Sequence, residues 1–232
     1  MKIINIKNFG DYLVRIETVT ARDKFIGLYR GQSDDKPLLP SIAREKPVKD
    51  TTPLEVEMLS ELKRRTETLL VRDLKDNWDW LVFAQHFGMK TRLLDWTSNP
   101  LTALWFACVS EYKMDQDSYV FLFLAKSLHI LNKEKDPDPF KKSRTKVLRP
   151  PQNNERVIAQ SGWFTAHRYS TSSNRFVKLE TNRDLKKYIV KFIIPKSEKQ
   201  DILKKLNKFG INNQTMFPDF EGVCKQLNWE FE

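Results

Sequence analysis

Residues 85–107 constrain the fold most, because they set polar and ionisable side chains among apolar ones directly before a helix signal. Sixteen of them, residues 85–100, include one Gln, one His, one Arg, one Asp, two Thr and a Trp. Such polar groups are costly to bury unless they are paired. We therefore expect this segment to build a binding or catalytic site.

Local signals divide this segment into a helix end, a strand and a second helix start. A helix is predicted over residues 77–87, with Gly88 as its stop signal. Residues 91–97 predict a short strand, and Asn99 followed by Pro100 predicts the N-cap of the next helix. Side chains alternate between the two faces of a strand. One face is expected to hold Thr91, Leu93, Asp95 and Thr97, and the opposite face Arg92, Leu94 and Trp96.

The rest of the chain predicts further helices and strands with no repeats. Strands are expected at residues 25–29, 118–125, 156–166 and 188–195, and a long loop at 132–154. Capping-box patterns at residues 52–55 and 197–200 predict two more helices, the second ending at Gly210 with Ile202, Leu203, Leu206 and Phe209 facing inward. We predict an α+β fold: one mixed α/β domain over residues 1–232, with a central, partly antiparallel sheet flanked by helices.

Composition favours a cytoplasmic protein without a membrane partner. No apolar run approaches the roughly 20 residues that cross a bilayer, and residues 1–7 lack the pattern of an export signal. Cys108 and Cys224 lie among apolar helical residues, which predicts two buried, reduced thiols. Neither has a Cys or His neighbour at ligand spacing, so no metal site is expected.

The chain is strongly basic, with 40 Lys and Arg against 30 Asp and Glu, a formal net charge of +10. Much of the excess lies in the second half. Such an excess favours an anionic partner, either nucleic acid or a phosphate-bearing small molecule. A solvated lysine-rich surface is an equally open interpretation.

Arg30 and Asp95 are the first candidate site residues. Arg30 ends an apolar strand before Gly31, where its guanidinium could bind a phosphate or carboxylate and the glycine could let a ligand approach the backbone. The alternative is a structural pair between Arg30 and Asp95. Asp95 precedes a helix N-terminus, whose free N–H groups could hold an anion.

Two histidines and a glutamine complete the candidates. His86 follows Gln85 at a helix end near Asp95, whereas His167 is a weaker candidate and His129 is expected at the surface. Gln160 lies among apolar residues before Gly162, so its amide faces a ligand or exposed backbone, or else its side chain closes a β-bulge. The chain has no nucleophile elbow, Walker loop, GxGxxG or HExxH motif, which argues against the corresponding enzyme classes.

These segments, taken in order, resemble the FRG-domain family of bacterial and phage-related proteins. The name-giving Phe-Arg-Gly is represented by residues 29–31, with Tyr in place of Phe. Residues 85–107, the 156–165 segment and the late Phe-Pro-Asp-Phe-Glu-Gly at 217–222 complete the likeness, which spans about residues 20–228. This family is described largely by its motif, and a toxin-like effector in phage defence is an expectation that goes with an enzymatic function.

The order of motifs is also similar to the ADP-ribosyltransferase superfamily, which implies an ADP-ribosyltransferase-like fold and NAD as substrate. In that superfamily an early Arg contacts NAD, a Ser/Thr-bearing strand supports the nicotinamide ribose, and a late Glu assists transfer. Arg30 and Thr97 match the first two positions, but Gln160 stands where the Glu is expected. An amide cannot act as a general base, and neither Glu155 nor Glu221 sits in a matching pattern.

Two functions follow as expectations. The first is an NAD-consuming transferase or glycohydrolase that binds a nucleotide-type small molecule and transfers to nucleic acid, protein or water. Its expected catalytic residues are Arg30, His86, Asp95, Thr97 and Gln160, and its expected cofactor-binding residues are Arg30, Gly31, Gln32, Thr91, Arg92, Trp96 and Asn99. The alternative is a non-catalytic nucleic-acid-binding module, with Trp163, Phe164 and Tyr169 stacking on bases beside Arg168 and Arg175.

Overall fold

The computed structural model describes residues 1–21, 24–69, 74–141, 144–151 and 154–231. Within these ranges the strands are β1 Lys2–Asn5, β2 Ile26–Gln32, β3 Leu93–Thr97, β4 Ser118–Ala125, β5 Lys146–Leu148, β6 Gly162–Ala166, β7 Tyr169–Ser170, β8 Arg175–Phe176 and β9 Ile189–Ile194. The α-helices are α1 Phe9–Thr20, α2 Thr52–Thr66, α3 Asn77–His86, α4 Pro100–Cys108, α5 Glu155–Ala159, α6 Lys199–Lys208, α7 Asn213–Met216 and α8 Phe220–Phe231.

Seven strands form one mixed sheet in the order β1-β9-β4-β2-β3-β6-β5. Only the β1–β9 pair in this sheet is parallel, and β7 and β8 form a separate small hairpin. β2 meets β3 through the register pair Tyr29 and Thr97, which brings two predicted site segments side by side. The predicted α+β class with a central, partly antiparallel sheet and flanking helices is confirmed.

Both faces of the sheet are covered, and β4 shows why its sequence is almost continuously apolar. Val120 and Leu122 face the core that α1, α4 and α6 build on one side. Phe121 and Phe123 face a second core on the other side. A strand buried on both faces cannot alternate apolar and polar residues, so the prediction for residues 118–125 is confirmed.

Gly31 is required by the packing of α4 on β2. A Cβ atom at this position would lie 1.9 Å from the carbonyl oxygen of Ala103 and 2.6 Å from the backbone nitrogen of Ala107. The missing Cβ atom is therefore needed for packing, whereas the approach of a ligand to this backbone stays a prediction. The hydrogen of Gly31 lets a helix backbone approach the strand.

A buried ion pair joins α2 to the start of β3. Arg92 Nε lies 2.7 Å from Glu55 Oε2, and both side chains are buried, at 1% and 0% exposure. Glu55 Oε1 also accepts from the backbone nitrogen of Arg92 at 2.6 Å. Glu55 thus binds across the fold instead of closing a capping box on Thr52, and the structure records no side-chain cap at the start of α2.

Residues 132–166 hold more structure than predicted. Residues 146–148 form β5 on the edge of β6, whereas a loop was expected; three residues are too few to show a periodicity. Residues 155–159 form α5 and not part of a strand, because the Asn154 side chain accepts from the backbone nitrogens of Arg156 and Val157 as an N-cap. Residues 142–143 and 152–153 of the predicted loop lie outside the described residues.

Three burial predictions were wrong. Cys224 is exposed on α8, although Cys108 is buried as expected. His129 is buried, because its Nδ1 accepts from the backbone nitrogen of Lys126 and its ring stacks on Phe123. Phe209 is exposed because it follows the last turn of α6. The N-cap residue of this helix makes no side-chain hydrogen bond.

Among the described residues, no helix is both long and apolar enough to span a membrane.

Replacing Gly31 by Ala is expected to destabilise the protein by about 1–3 kcal/mol, the usual range for overpacking. The added methyl group would have to push α4 away from β2. Urea unfolding of the variant measures the loss.

Gly162→Ala is the matched control, because a Cβ atom there meets its nearest neighbour only at 3.5 Å. Equal stability of the two variants would contradict the packing role of Gly31.

Candidate functional site

A cavity of about 380 Å³ opens beside the β2–β3 junction. It is called the aromatic cavity here, because rings make up much of its wall. Its lining residues are Tyr29, Arg30, Gly31, Val82, Gln85, His86, Asp95, Trp96, Thr97, Phe106, Arg156, Val157, Gln160, Gly162, Trp163, Phe164 and Phe217. The five expected catalytic residues all lie in this wall.

Arg30 is held against the neighbouring strand while one edge of its side chain remains in the cavity. Its Nη1 donates to the carbonyl oxygen of Asp95 at 2.9 Å, and its Nε donates to Gln32 Oε1 at 3.1 Å. Burial lowers the pKa of Arg30, and the nearby Asp95 counteracts this. Arginine has so high a pKa that the guanidinium remains charged, so the cavity has a fixed cation at its base.

Asp95 is the only carboxylate among the described residues of the wall. Its Oδ1 accepts from Gln85 Nε2 at 2.8 Å, and its Oδ2 lies 3.5 Å from Arg30 Nη1. Thr91 Oγ1 in turn donates to Gln85 Oε1, which fixes the orientation of the amide. The Asp95 side chain is nevertheless 60% exposed, so a positioned carboxylate stands open to a ligand.

His86 ends α3 at the edge of the aromatic cavity. Burial, with a smaller contribution from Arg156, lowers its pKa. The ring is therefore mainly neutral near pH 7 and can accept a proton.

Thr97 and Gln160 contribute less reactive groups. Thr97 Oγ1 accepts from the backbone nitrogen of Asn99, and the side chain is largely buried. Gln160 is the C-cap residue of α5 and not a strand residue, and its Nε2 donates to the carbonyl oxygen of Met216 at 3.0 Å. The amide of Gln160 thus bonds to backbone, as one of its three interpretations predicted, and it ties α5 to α7.

Four of the residues expected to bind a cofactor lie outside the wall of the aromatic cavity: Gln32, Thr91, Arg92 and Asn99. Gln32 and Thr91 act behind it, through their bonds to Arg30 and Gln85. Arg92 is buried, and it donates to Pro139 and Thr52 besides its bonds to Glu55. Asn99 Oδ1 accepts from the backbone nitrogens of Leu101 and Thr102. These helix donors are already used, which removes the expected anion site at the start of α4.

Arg156 is a site residue that the sequence patterns did not single out. Its Nη2 lies 2.7 Å from Asp219 Oδ2, and its guanidinium lies 5.2 Å from the ring centroid of Phe217. Asp219 also accepts from the backbone nitrogen of Gly222, and these bonds lower the pKa of its carboxyl. The late motif at residues 217–222 therefore holds a second cation at the wall. Arg156 and Asp219 are more than sixty residues apart in sequence, so no local spacing indicates this ion pair.

The stacking surface expected of a nucleic-acid module is only partly present. Phe164 is buried in the core beside α3 and cannot stack on a base. Trp163 lines the aromatic cavity, and the guanidinium of Arg149 lies 5.5 Å from its ring centroid. Tyr169 packs on Phe176 and donates to the carbonyl oxygen of Val48. These rings do not form one continuous stacking face.

A family model described as the FRG domain matches residues 26–116, a range that contains β2, β3, α4 and the segment that connects them. Residues 26–116 therefore match the FRG domain, and this range is less than half of the chain. A search of curated proteins and a search of solved structures each found no match. The resemblance to ADP-ribosyltransferases stays a prediction.

His167 lies two hydrogen bonds behind the wall of the aromatic cavity, which it reaches through Thr165 and Trp96. Its Nε2 is 3.1 Å from Thr165 Oγ1, which accepts from Trp96 Nε1 at 3.0 Å. Burial, and then the charges of Arg30 and Arg92, lower the pKa of His167 from 6.5 to about 3. The imidazole is therefore neutral in the folded protein, and we assign it a structural role.

Acid is expected to destabilise the protein through His167. In the unfolded chain this ring takes up a proton below about pH 6.5, whereas in the folded chain it does so only near pH 3. The unfolded state thus binds more protons between these values, so the free energy of unfolding falls as the pH falls. This one group accounts for about 2 kcal/mol of loss between pH 7 and pH 5.

Urea unfolding of the wild type and of His167→Gln at both pH values measures this contribution. The variant should lose about 2 kcal/mol less than the wild type. Parallel losses in the two proteins would contradict the assignment, since all other titrating groups are common to both.

Proposed function

We propose that the aromatic cavity is the active site of an enzyme that cleaves the N-glycosidic bond of an NAD-type nucleotide. One observation carries the proposal: a single exposed carboxylate, Asp95, is held by Gln85 and Arg30 in a cavity walled by aromatic rings. This combination suits a substrate that has a flat base, a ribose on which positive charge develops, and phosphates.

The cavity suits such a ligand in size and in wall chemistry. About 380 Å³ falls within the usual range of small-molecule sites, roughly 300–1,000 Å³. The rings of Trp163, Phe106 and Phe217 supply apolar surface for a base. Arg30 and Arg156 supply guanidinium groups, which bind phosphate oxygens in a bidentate manner.

The proposed reaction breaks the bond between the ribose C1′ and the nicotinamide nitrogen. Nicotinamide leaves with the bonding electron pair as a neutral molecule, and positive charge develops on the ribose. The Asp95 carboxylate stabilises this charge by electrostatic attraction. A water or another acceptor then bonds to C1′ and gives up its proton, which the neutral His86 imidazole can accept.

In the ADP-ribosyltransferase pattern a late Glu supplies the carboxylate, and Gln160 stands at that position in this chain. We assign the carboxylate role to Asp95 instead. Glu155 and Glu221 do not line the aromatic cavity, so neither replaces it. The uncharged amide of Gln160 uses one N–H on the carbonyl oxygen of Met216 and can still hydrogen-bond a ribose hydroxyl, but it cannot act as a general base. NAD consumption of this kind would suit a toxin-like effector in phage defence, the role expected together with the enzymatic function.

Asp95→Asn is expected to reduce nicotinamide release from NAD about 100-fold or more, the usual effect of removing one electrostatic contact to the transition state. The neutral amide keeps the size of the side chain but cannot stabilise positive charge. Chromatographic measurement of nicotinamide over time gives the rate.

Glu155→Gln is the matched control, because it removes a carboxylate that is exposed on α5 and does not line the aromatic cavity. Release at the wild-type rate by Asp95→Asn, or no release by the wild-type protein with water, protein and nucleic-acid acceptors offered, would overturn the proposed function.

Arg30→Lys is expected to raise KM for NAD more than it lowers kcat. Lysine keeps the charge but loses the planar fork that binds phosphate while also contacting Asp95. Steady-state kinetics separates the two constants. An effect on kcat alone would argue that Arg30 positions Asp95 and does not bind the substrate.

A further inference from the structure

A second cavity, of about 490 Å³, shares no lining residue with the aromatic cavity. It is called the basic cavity here. Four stretches of chain that are distant in sequence converge on it, around residues 128–129, 144–146, 168–177 and 182–188. The tertiary fold therefore builds this wall, and it is not merely the charged face of one helix.

Five cationic side chains line the basic cavity: Arg144, Lys146, Arg168, Arg183 and Lys187. Asp184 is the one carboxylate among the described lining residues, and it forms no ion pair with them within the described part of the chain. Several other cations of this protein are paired, for example Arg156 with Asp219 and Lys191 with Asp35. None of the five lining cations forms an ion pair within the described part of the chain, so their charges add up at this concave surface.

The lysines in and beside the basic cavity lower the pKa of two neighbouring rings. The ammonium groups of Lys126 and Lys187 lie 5.1 and 5.2 Å from the ring centroid of Tyr188, and they lower the pKa of its phenol. Burial first, and then Lys146, Lys126 and Lys187, lower the pKa of His129. Both effects indicate a positive potential in the basic cavity, and a concave wall of one sign concentrates such a potential.

We propose that the basic cavity is a binding site for closely spaced phosphates, separate from the proposed NAD site. Like charges brought together repel one another, and a bound polyanion removes that repulsion. Arginine and lysine are the side chains that bind phosphate oxygens. Ser170, Thr145 and Asn182 in the same wall add hydroxyl and amide groups that can hydrogen-bond them. The phosphates come either from a nucleic-acid strand or from a free polyphosphate.

Two probes distinguish these sources: a fluorescently labelled single-stranded oligonucleotide and inorganic tripolyphosphate. Oligonucleotide binding is followed by anisotropy, and tripolyphosphate binding by calorimetry, at low and at moderate salt. The test variant is Arg168→Gln with Arg183→Gln, which removes two cavity cations. The matched control is Lys204→Gln with Lys208→Gln, which removes the same charge from exposed positions of α6.

The cavity variant should weaken binding of the preferred probe about tenfold or more, whereas the control should change it only slightly. For the oligonucleotide, the slope of log affinity against log salt should fall by about one for each cation that no longer binds a phosphate. Preference for the oligonucleotide supports a nucleic-acid strand, and preference for tripolyphosphate supports a free polyphosphate.

Failure of both probes to bind, or equal weakening in the cavity and control variants, would overturn the proposal. Arg168 is partly buried, so a second variant, Arg183→Gln with Lys187→Gln, changes only exposed side chains of the same cavity. It should reproduce the loss of binding without a change in thermal unfolding. None of these positions lines the aromatic cavity, so the variants should leave nicotinamide release unchanged. A negative result for one proposal therefore does not decide the other.

Discussion

The placement of the candidate site depends on the buried ion pair between Arg92 and Glu55. The Arg92 guanidinium bonds to Glu55, Thr52 and the carbonyl oxygen of Pro139, and it lies 4.7 Å from the ring centroid of Phe140. It thus joins α2, the start of β3 and the segment before β5 at one point. A buried charge is tolerated only when its hydrogen bonds are satisfied, and removing one partner leaves the other uncompensated. β3 is therefore anchored at its start, a few residues before Asp95.

From that anchor the geometry of the aromatic cavity follows. β3 lies between β2 and β6, so Asp95 comes beside Arg30 of one neighbour and is paired in register with Phe164 of the other. The amide of Gln85, at the last turn of α3, then fixes the carboxylate from the side. Three separate elements thus hold one acid that a ligand can still reach. A positioned, partly exposed carboxylate is the arrangement that electrostatic catalysis requires.

The residues that carry the resemblance to the FRG domain divide between packing and polar roles. Gly31 and Gly222 admit neighbouring backbone, since a Cβ atom at either position would lie 1.9 Å from a carbonyl oxygen. Arg30, Asp95 and Gln85 form a hydrogen-bonded set at the cavity. Adjacent residues in the motif, Arg30 and Gly31, therefore serve different purposes: one faces the cavity and the other accommodates α4. The basic cavity lies apart from this motif, in the second half of the chain.

The sequence by itself determined the elements whose signals are local. The Asn99 cap, the Gly88 and Gly210 helix ends and the doubly buried β4 were all predicted, because caps, positive φ angles and hydrophobic runs depend on neighbouring residues. The same local signals misled at Glu55 and Gln160, whose partners, Arg92 and Met216, are distant in sequence. Only the tertiary structure decided which polar residues of the 85–107 segment face the cavity and which are buried, and that Arg156 joins them. Strand pairing and ion pairs across many residues set those positions, and neither leaves a periodic trace in the chain.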